Sequence, residues 1–296
     1  MMPSTTVRWT LAGLIQLVAA SSSAVGQVIA YEGFNYSAGT NLNGLNGGTG
    51  WGNAWSEPSF GTGNQNDLVP ETIQAGSLTF GSLSTTGNRV VTGGRFSYDI
   101  RNLGTALGAA GTTRYASFLL RRDTVGPDPV NNGPDYGGLV FGDENNPNSL
   151  FVGKPGGGTL GNYALENGVG NGQVSTSRPE VLGTTALLVV RFDFTAGNDT
   201  FRLYVNPTPG GTEPSVADAT KTDLNISSLI GVSISTGASA TWSVDEIRLG
   251  NTFADVVAPV PEPSSIALVL TGALAALWHY RRSVHRPHLH SRIVAA

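Results

Sequence analysis

The chain has 296 residues, among them 40 Gly, 16 Pro, 2 Met and no Cys, and its formal net charge is −4. Charged residues make up 13% and hydrophobic residues 40%, too apolar for a disordered polymer and too poor in charged helix formers for a helical bundle. The missing Cys excludes disulfides, thiolate nucleophiles, zinc–thiolate sites and Cys-linked lipid anchors. Between residues 27 and 260 there are 20 Asp/Glu against 10 Arg and 2 Lys, an acidic balance with scattered Arg that predicts no nucleic-acid partner.

Taken from the N-terminus, residues 1–26 carry Arg8, an apolar run over 9–20 and then small residues over 21–26. That order is the pattern of a secretory signal peptide. The 12-residue run is short of the ~20 residues that span a bilayer. Ala24 and Gly26 offer the small side chains that a signal peptidase accepts. The chain is therefore expected to be exported by the secretion machinery.

Residues 27–258 contain no charge run and no repeat of fixed period. Short apolar stretches between Gly, Asn, Asp and Pro clusters predict strands over 28–34, 73–80, 95–100, 114–121, 139–141, 149–152, 186–194, 200–205, 230–235 and 241–249. Period-2 alternation puts Phe96, Tyr98 and Ile100 on one face. It likewise sets Val190, Phe192 and Phe194 opposite Arg191 and Asp193. The turn Ala196-Gly197-Asn198-Asp199 suits left-handed backbone, so 186–205 reads as a hairpin. Near the end, apolar parity switches between Val244 and Ile247, the mark of a bulge or a strand end. About ten strands with one polar face each predict an all-β antiparallel sandwich; a barrel or β-helix would use as many strands, but no coil-length repeat supports one.

Beyond residue 258 comes Pro261-Glu262-Pro263, then an apolar run within 264–280, then Arg281 and Arg282. That run sits at the lower limit for a transmembrane helix. Trp278 and Tyr280 stand at its edge, and Arg clusters behind it put the 283–296 tail in the cytoplasm. Pro-Glu-Pro, short helix and Arg cluster in this order closely resemble the PEP-CTERM sorting signal of Gram-negative bacteria. The resemblance implies recognition and processing near Pro261, Glu262 and Pro263 by an exosortase, with Arg281 and Arg282 as the stop. The chain departs from that family in the 14 residues after Arg282. His285, His288 and His290 there could form a metal tract, but a short tail has nothing to fold around an ion.

A second resemblance lies in the body. Tyr31-Glu32-Gly33-Phe34-Asn35-Tyr36, Leu45-Asn46-Gly47-Gly48-Thr49-Gly50-Trp51 and Val244-Asp245-Glu246-Ile247-Arg248-Leu249-Gly250 resemble secreted laminin-G/concanavalin-A-like jelly-roll domains of planctomycete and verrucomicrobial proteins. This implies one jelly-roll sandwich whose first and last strands pair near each other. It implies no activity, because such folds host lectins, adhesive modules and glycosidases alike.

All four His (279, 285, 288, 290) lie beyond the body, so a Ser–His–Asp triad, a Cys–His dyad and His-bound zinc are excluded from it. Two-carboxylate glycoside hydrolysis needs only Asp and Glu. The Glu-x-Asp-x-x-Glu strand of concanavalin-like glucanases is missing, however. The adjacent pairs Asp143-Glu144 and Asp245-Glu246 would point to opposite faces of a strand. Asp135, Asp143 and Glu144, beside Asn145 and Asn146, form a candidate calcium loop, with an ordinary solvated turn as the alternative. Trp51 and Trp55 are candidate sugar-stacking residues, although the same pair reads more readily as a cap on the core.

The expectation is an exported, non-enzymatic cell-surface or extracellular-matrix protein without a cofactor other than this calcium. It would be held in the membrane by its C-terminal helix until an exosortase processes it, with extracellular polysaccharide as its partner. A lectin-like, calcium-dependent carbohydrate-binding module is the alternative, and a two-carboxylate glycosidase the weaker one.

Overall fold

The computed structural model describes residues 28–57, 70–93, 96–125, 135–142, 148–156, 161–168, 170–237 and 240–259. The expected signal peptide, the expected sorting motif, the apolar run expected as a helix over 264–280, the basic tail, Asp143 and Glu144 all lie outside the described residues. Among the described residues, no helix is long and apolar enough to cross a membrane.

Fourteen strands in two antiparallel sheets make up the described fold, with one short helix near its end. The larger sheet has eight strands. Its order is β12 (Ala219–Leu224), β11 (Asp199–Val205), β10 (Ala186–Asp193), β5 (Thr113–Arg122), β14 (Trp242–Gly250), β3 (Arg89–Val91) and β2 (Thr72–Gln74), and β1 (Val28–Glu32) also pairs with β14. The smaller sheet has six strands, β4 (Phe96–Leu107), β13 (Leu229–Gly237), β6 (Tyr136–Phe141), β7 (Leu150–Lys154), β8 (Asn162–Asn167) and β9 (Val174–Pro179).

Alternating side chains from the two inner faces make the core. Phe118, Leu120, Leu188, Val190, Phe192 and Phe201 come from the larger sheet, and Leu139, Phe141, Val152, Leu165 and Ile234 from the smaller. Phe141 meets Phe192 edge to face, with ring centroids 5.1 Å apart. Each such buried side chain contributes roughly 1.5–3 kcal/mol from the area it removes from water. The expected hairpin forms as β10–β11, with Phe192 opposite Phe201. First and last strands do pair, Glu32 of β1 lying opposite Ile247 of β14.

The parity switch in β14 is a bulge. Register against β5 shifts between Asp245 and Arg248, and Glu246 takes a positive φ of 53°. The extra residue turns both Val244 and Ile247 into the core. It also divides one edge of β14 between two short partners, β3 at Ser243 and Val244 and β1 from Ile247 onward.

Several expectations need correction. The strand expected over 73–80 stops at Gln74, because Gly76 turns at φ +83° and Leu78 donates its N–H to Asp245 Oδ2 at 2.7 Å. Strands β3, β8, β9 and β12 were not predicted: β3 and β8 carry only short apolar stretches, at Val90 and over 163–165, that reach the core, and polar β9 and β12 are formed largely by the ladders of their neighbours. Nor does each strand keep a polar face. Leu187 and Val189 of β10, with Leu119 of β5, are buried on the outer side under Leu78, Leu83, Phe253, Val256 and Val257. The reason is a cover made by the 75–84 loop and the segment around α1 (Phe253–Val256), which makes the larger sheet apolar on both faces over part of its length.

Candidate functional site

The loop carrying Trp51 and Trp55 folds against the sheet edges. Tyr31 and Thr49 exchange main-chain hydrogen bonds of 2.9 Å, and Ser56 N donates to Ile100 O at 3.0 Å. Trp55 is 1% exposed, stacks on Phe34 at 6.0 Å and donates its indole N–H to Glu32 Oε2 at 3.2 Å. Half-buried Trp51 donates to Tyr31 O at 3.0 Å. Arg101 lies over both indoles, 5.2 and 5.7 Å from their centroids, and forms an ion pair with Glu32 in which both side chains are 1% exposed. Glu32 also accepts from Phe34 N at 2.8 Å and Tyr36 Oη at 2.7 Å.

This is an internal polar knot whose members satisfy one another, as buried charge requires. The stacking role expected for Trp55 is thereby corrected: its ring has no free face for a sugar. The core-cap reading describes where it lies.

Asp135, the described member of the candidate calcium loop, pairs with Arg122 at 3.4 Å, and its carbonyl accepts from Lys154 Nζ. A cation there would face two positive side chains. Among the described residues, no group of three His, Cys, Asp or Glu is placed to hold a metal ion.

Other buried carboxylates are tied into the fold. Asp245 accepts from Ser77 Oγ at 2.5 Å, Leu78 N at 2.7 Å and Glu246 N at 2.8 Å, while burial pushes its pKa up to about 8. Glu246 turns away to accept from Tyr31 Oη and Thr86 N and to pair with Arg248. The adjacent pair thus serves two different neighbourhoods and forms no catalytic dyad. Asp99 and Glu71, both buried, share a hydrogen bond, and burial raises the pKa of Asp99. That contact links β4, at one edge of the smaller sheet, to the residue just before β2, at one edge of the larger.

An open polar site lies on the outer face of the larger sheet. Antiparallel register sets Tyr115, Arg191 and Arg202 in one row across β5, β10 and β11. The loop after β11 brings Glu213 over that row. Its carboxylate accepts from Tyr204 Oη at 2.6 Å, Tyr115 Oη at 2.7 Å and Arg191 Nη1 at 3.1 Å. Burial pushes the Glu213 pKa up, but these donors outweigh it and hold the carboxyl below its ordinary value. Asp193 pairs with both Arg191 and Arg202.

Two open grooves meet at Arg191 and Glu213. One, of about 580 Å³, runs past Arg202, Tyr204 and Ser215. The other, of about 630 Å³, runs past Tyr115, Asn251 and Phe253. The site combines fixed donors and acceptors with phenol rings, and its lining residues include no imidazole or thiol. Its two guanidinium groups balance its two carboxylates. Sequence reasoning missed it: outward Arg191 and Asp193 were legible, but Glu213 comes from a Pro- and Gly-rich loop with no periodicity.

No protein-family model matches the chain, and no curated protein matches it. Solved structures similar to it include an endo-beta-1,4-glucuronan lyase from the fungus Trichoderma reesei, with 13% identity over 74% of this chain and 98% of that one and a TM-score of 0.38. The metal-free carbohydrate recognition domain of Emp46p shows 13% identity over 57% and 85%, with a TM-score of 0.37. The globular domain of T. cruzi calreticulin shows 12% identity over 78% and 90%, with a TM-score of 0.46.

Proposed function

We propose that the chain is an exported, non-catalytic surface protein, sorted through its C-terminal signal, whose sandwich binds extracellular carbohydrate at the Glu213 grooves. The observation that carries the binding role is the meeting of two open grooves on a preformed carboxylate–guanidinium–tyrosine network. Sugar hydroxyls are recognised by such fixed donors and acceptors in a concave surface with ring edges nearby. Balanced charge favours a neutral polysaccharide over a uronate polymer.

The non-catalytic half rests on chemistry. Residues 28–259 contain no His or Cys, and the carboxylates of Glu32, Asp245, Glu246 and Glu213 are each engaged by neighbouring donors. Export and exosortase sorting rest on the two chain ends alone.

A panel of neutral and acidic polysaccharides, titrated with the purified protein, tests the binding role. Saturable binding to a neutral glucan or related polymer is expected, without release of reducing ends. Arg191→Ala is expected to weaken it about tenfold, equivalent to about 1.4 kcal/mol. Trp51→Ala is expected to leave it unchanged. A flat panel, or binding that Arg191→Ala does not alter, overturns the assignment to these grooves.

A further inference from the structure

The fold continues to within one residue of the sorting motif, and its last stretch is fastened. Gly210 N donates to Val257 O at 2.8 Å, and Ser84 N to Ala258 O at 3.2 Å. Pro259 forms a β-bridge with Leu83. Ser117 Oγ donates to Val256 O at 2.7 Å, and Arg248 donates to Ala258 O at 3.4 Å and to Ser84 O. Ahead of these contacts, α1 is closed by a capping box between Thr252 and Asp255. Phe253 is held edge-on between Tyr115 at 6.2 Å and Tyr204 at 5.9 Å. Val256 and Val257 are fully buried.

Covalent geometry then restricts the reach of the chain beyond Pro259. Pro261 lies within about 7 Å of Pro259, because each residue advances the chain by at most ~3.6 Å. By the same measure the five residues from Pro259 to Ser264, the start of the expected membrane helix, span at most about 18 Å. An enzyme that acts on a peptide segment commonly takes it as an extended strand and bonds to its main chain. On the N-terminal side of Pro261-Glu262-Pro263, the carbonyls of Val257 and Ala258 are already engaged by the sandwich, and Pro259 is bridged to Leu83.

We infer that residues 251–259 act as a latch that withholds the Pro-Glu-Pro motif from its processing enzyme until this segment peels from the larger sheet. The inference rests on the sorting reading proposed for the chain and adds to it a control point. Opening is local, since the latch lies on the outer face and leaves the inter-sheet core in place. Processing then tracks the rate and extent of this sub-global opening. Release of the domain from the membrane becomes coupled to how firmly its own end is folded.

Pulse-chase of the full chain in a Gram-negative host carrying an exosortase tests this, reading conversion of the longer to the shorter form. Four chains are compared: the unaltered one, Glu262→Ala, Phe253→Ala, and one with a flexible insert of about ten Gly/Ser residues after Pro259. Conversion is expected several-fold faster with the insert and with Phe253→Ala, and lost with Glu262→Ala. If Glu262→Ala is processed like the unaltered chain, the sorting reading itself fails. If Glu262→Ala blocks conversion while the insert leaves its rate unchanged or slower, the sorting reading stands and the latch is overturned. The insert leaves the sandwich sequence untouched, so this outcome holds even should Phe253→Ala fail to fold.

Discussion

Arg101 is the residue on which the β1–β4 end of the sandwich depends. It is buried, it neutralises Glu32, and it covers two indoles. Arg101→Met would leave Glu32 charged with its cation gone, so unfolding free energy is expected to fall by about 3–5 kcal/mol in urea titration. A loss below about 1 kcal/mol would mean that the pair does not hold this end. Acidic residues set the pH response. Burial pushes Glu166 of β8 up to about 7, against the counter-pull of Lys221, and Asp245 up to about 8. A carboxyl raised on folding binds more protons in the native than in the unfolded state between its two pKa values. Its stabilising contribution is therefore full near pH 4 and lost as pH rises through 7 to 8. Melting temperature is expected to fall from pH 5 to pH 8.5, and Glu166→Gln to flatten part of that slope. A rising profile would contradict the assignment. Neither effect was legible in the sequence, where Arg101 and Glu166 look like ordinary surface charges until partners distant in the chain bury them.

Local geometry matters at the level of elements. Gly50 has φ +81°, and a Cβ there would lie 2.0 Å from Ile29 O. The loop that covers β1 can approach only because this position is Gly, and Gly50→Ala is expected to cost at least about 1–3 kcal/mol in thermal or urea unfolding. Thr252→Ala removes one half of the α1 capping box and is expected to cost about 1 kcal/mol. In that variant the amides over 251–259 should also exchange hydrogen faster than those of β10. Equal exchange would show that the segment opens only with the whole domain. The β10–β11 hairpin and the bulge in β14 were readable because both are breaks or continuities in a period of two. Short polar strands such as β9 and β12 were not, since each is formed by the ladder of its neighbour.

For the whole molecule, two layers and an added cover explain how so Gly-rich a chain is held without disulfides. The larger sheet packs its inner face on the smaller sheet and much of its outer face under the latch and the 75–84 loop. With Asp135 occupied by Arg122, thermal unfolding in excess chelator is expected to match that in calcium. A drop of several degrees would identify a hard cation as part of the fold.

By itself, the sequence determined the all-β class, the hairpin, the β14 irregularity and the lack of imidazole or thiol chemistry in the body, because alternation and composition are local properties. Tertiary structure alone decided that Trp55 is core, that Asp135 faces two cations, and that Glu213 meets Tyr115, Tyr204 and Arg191. Those outcomes depend on register between strands far apart in the chain and on which loop covers which face, and no local period encodes either.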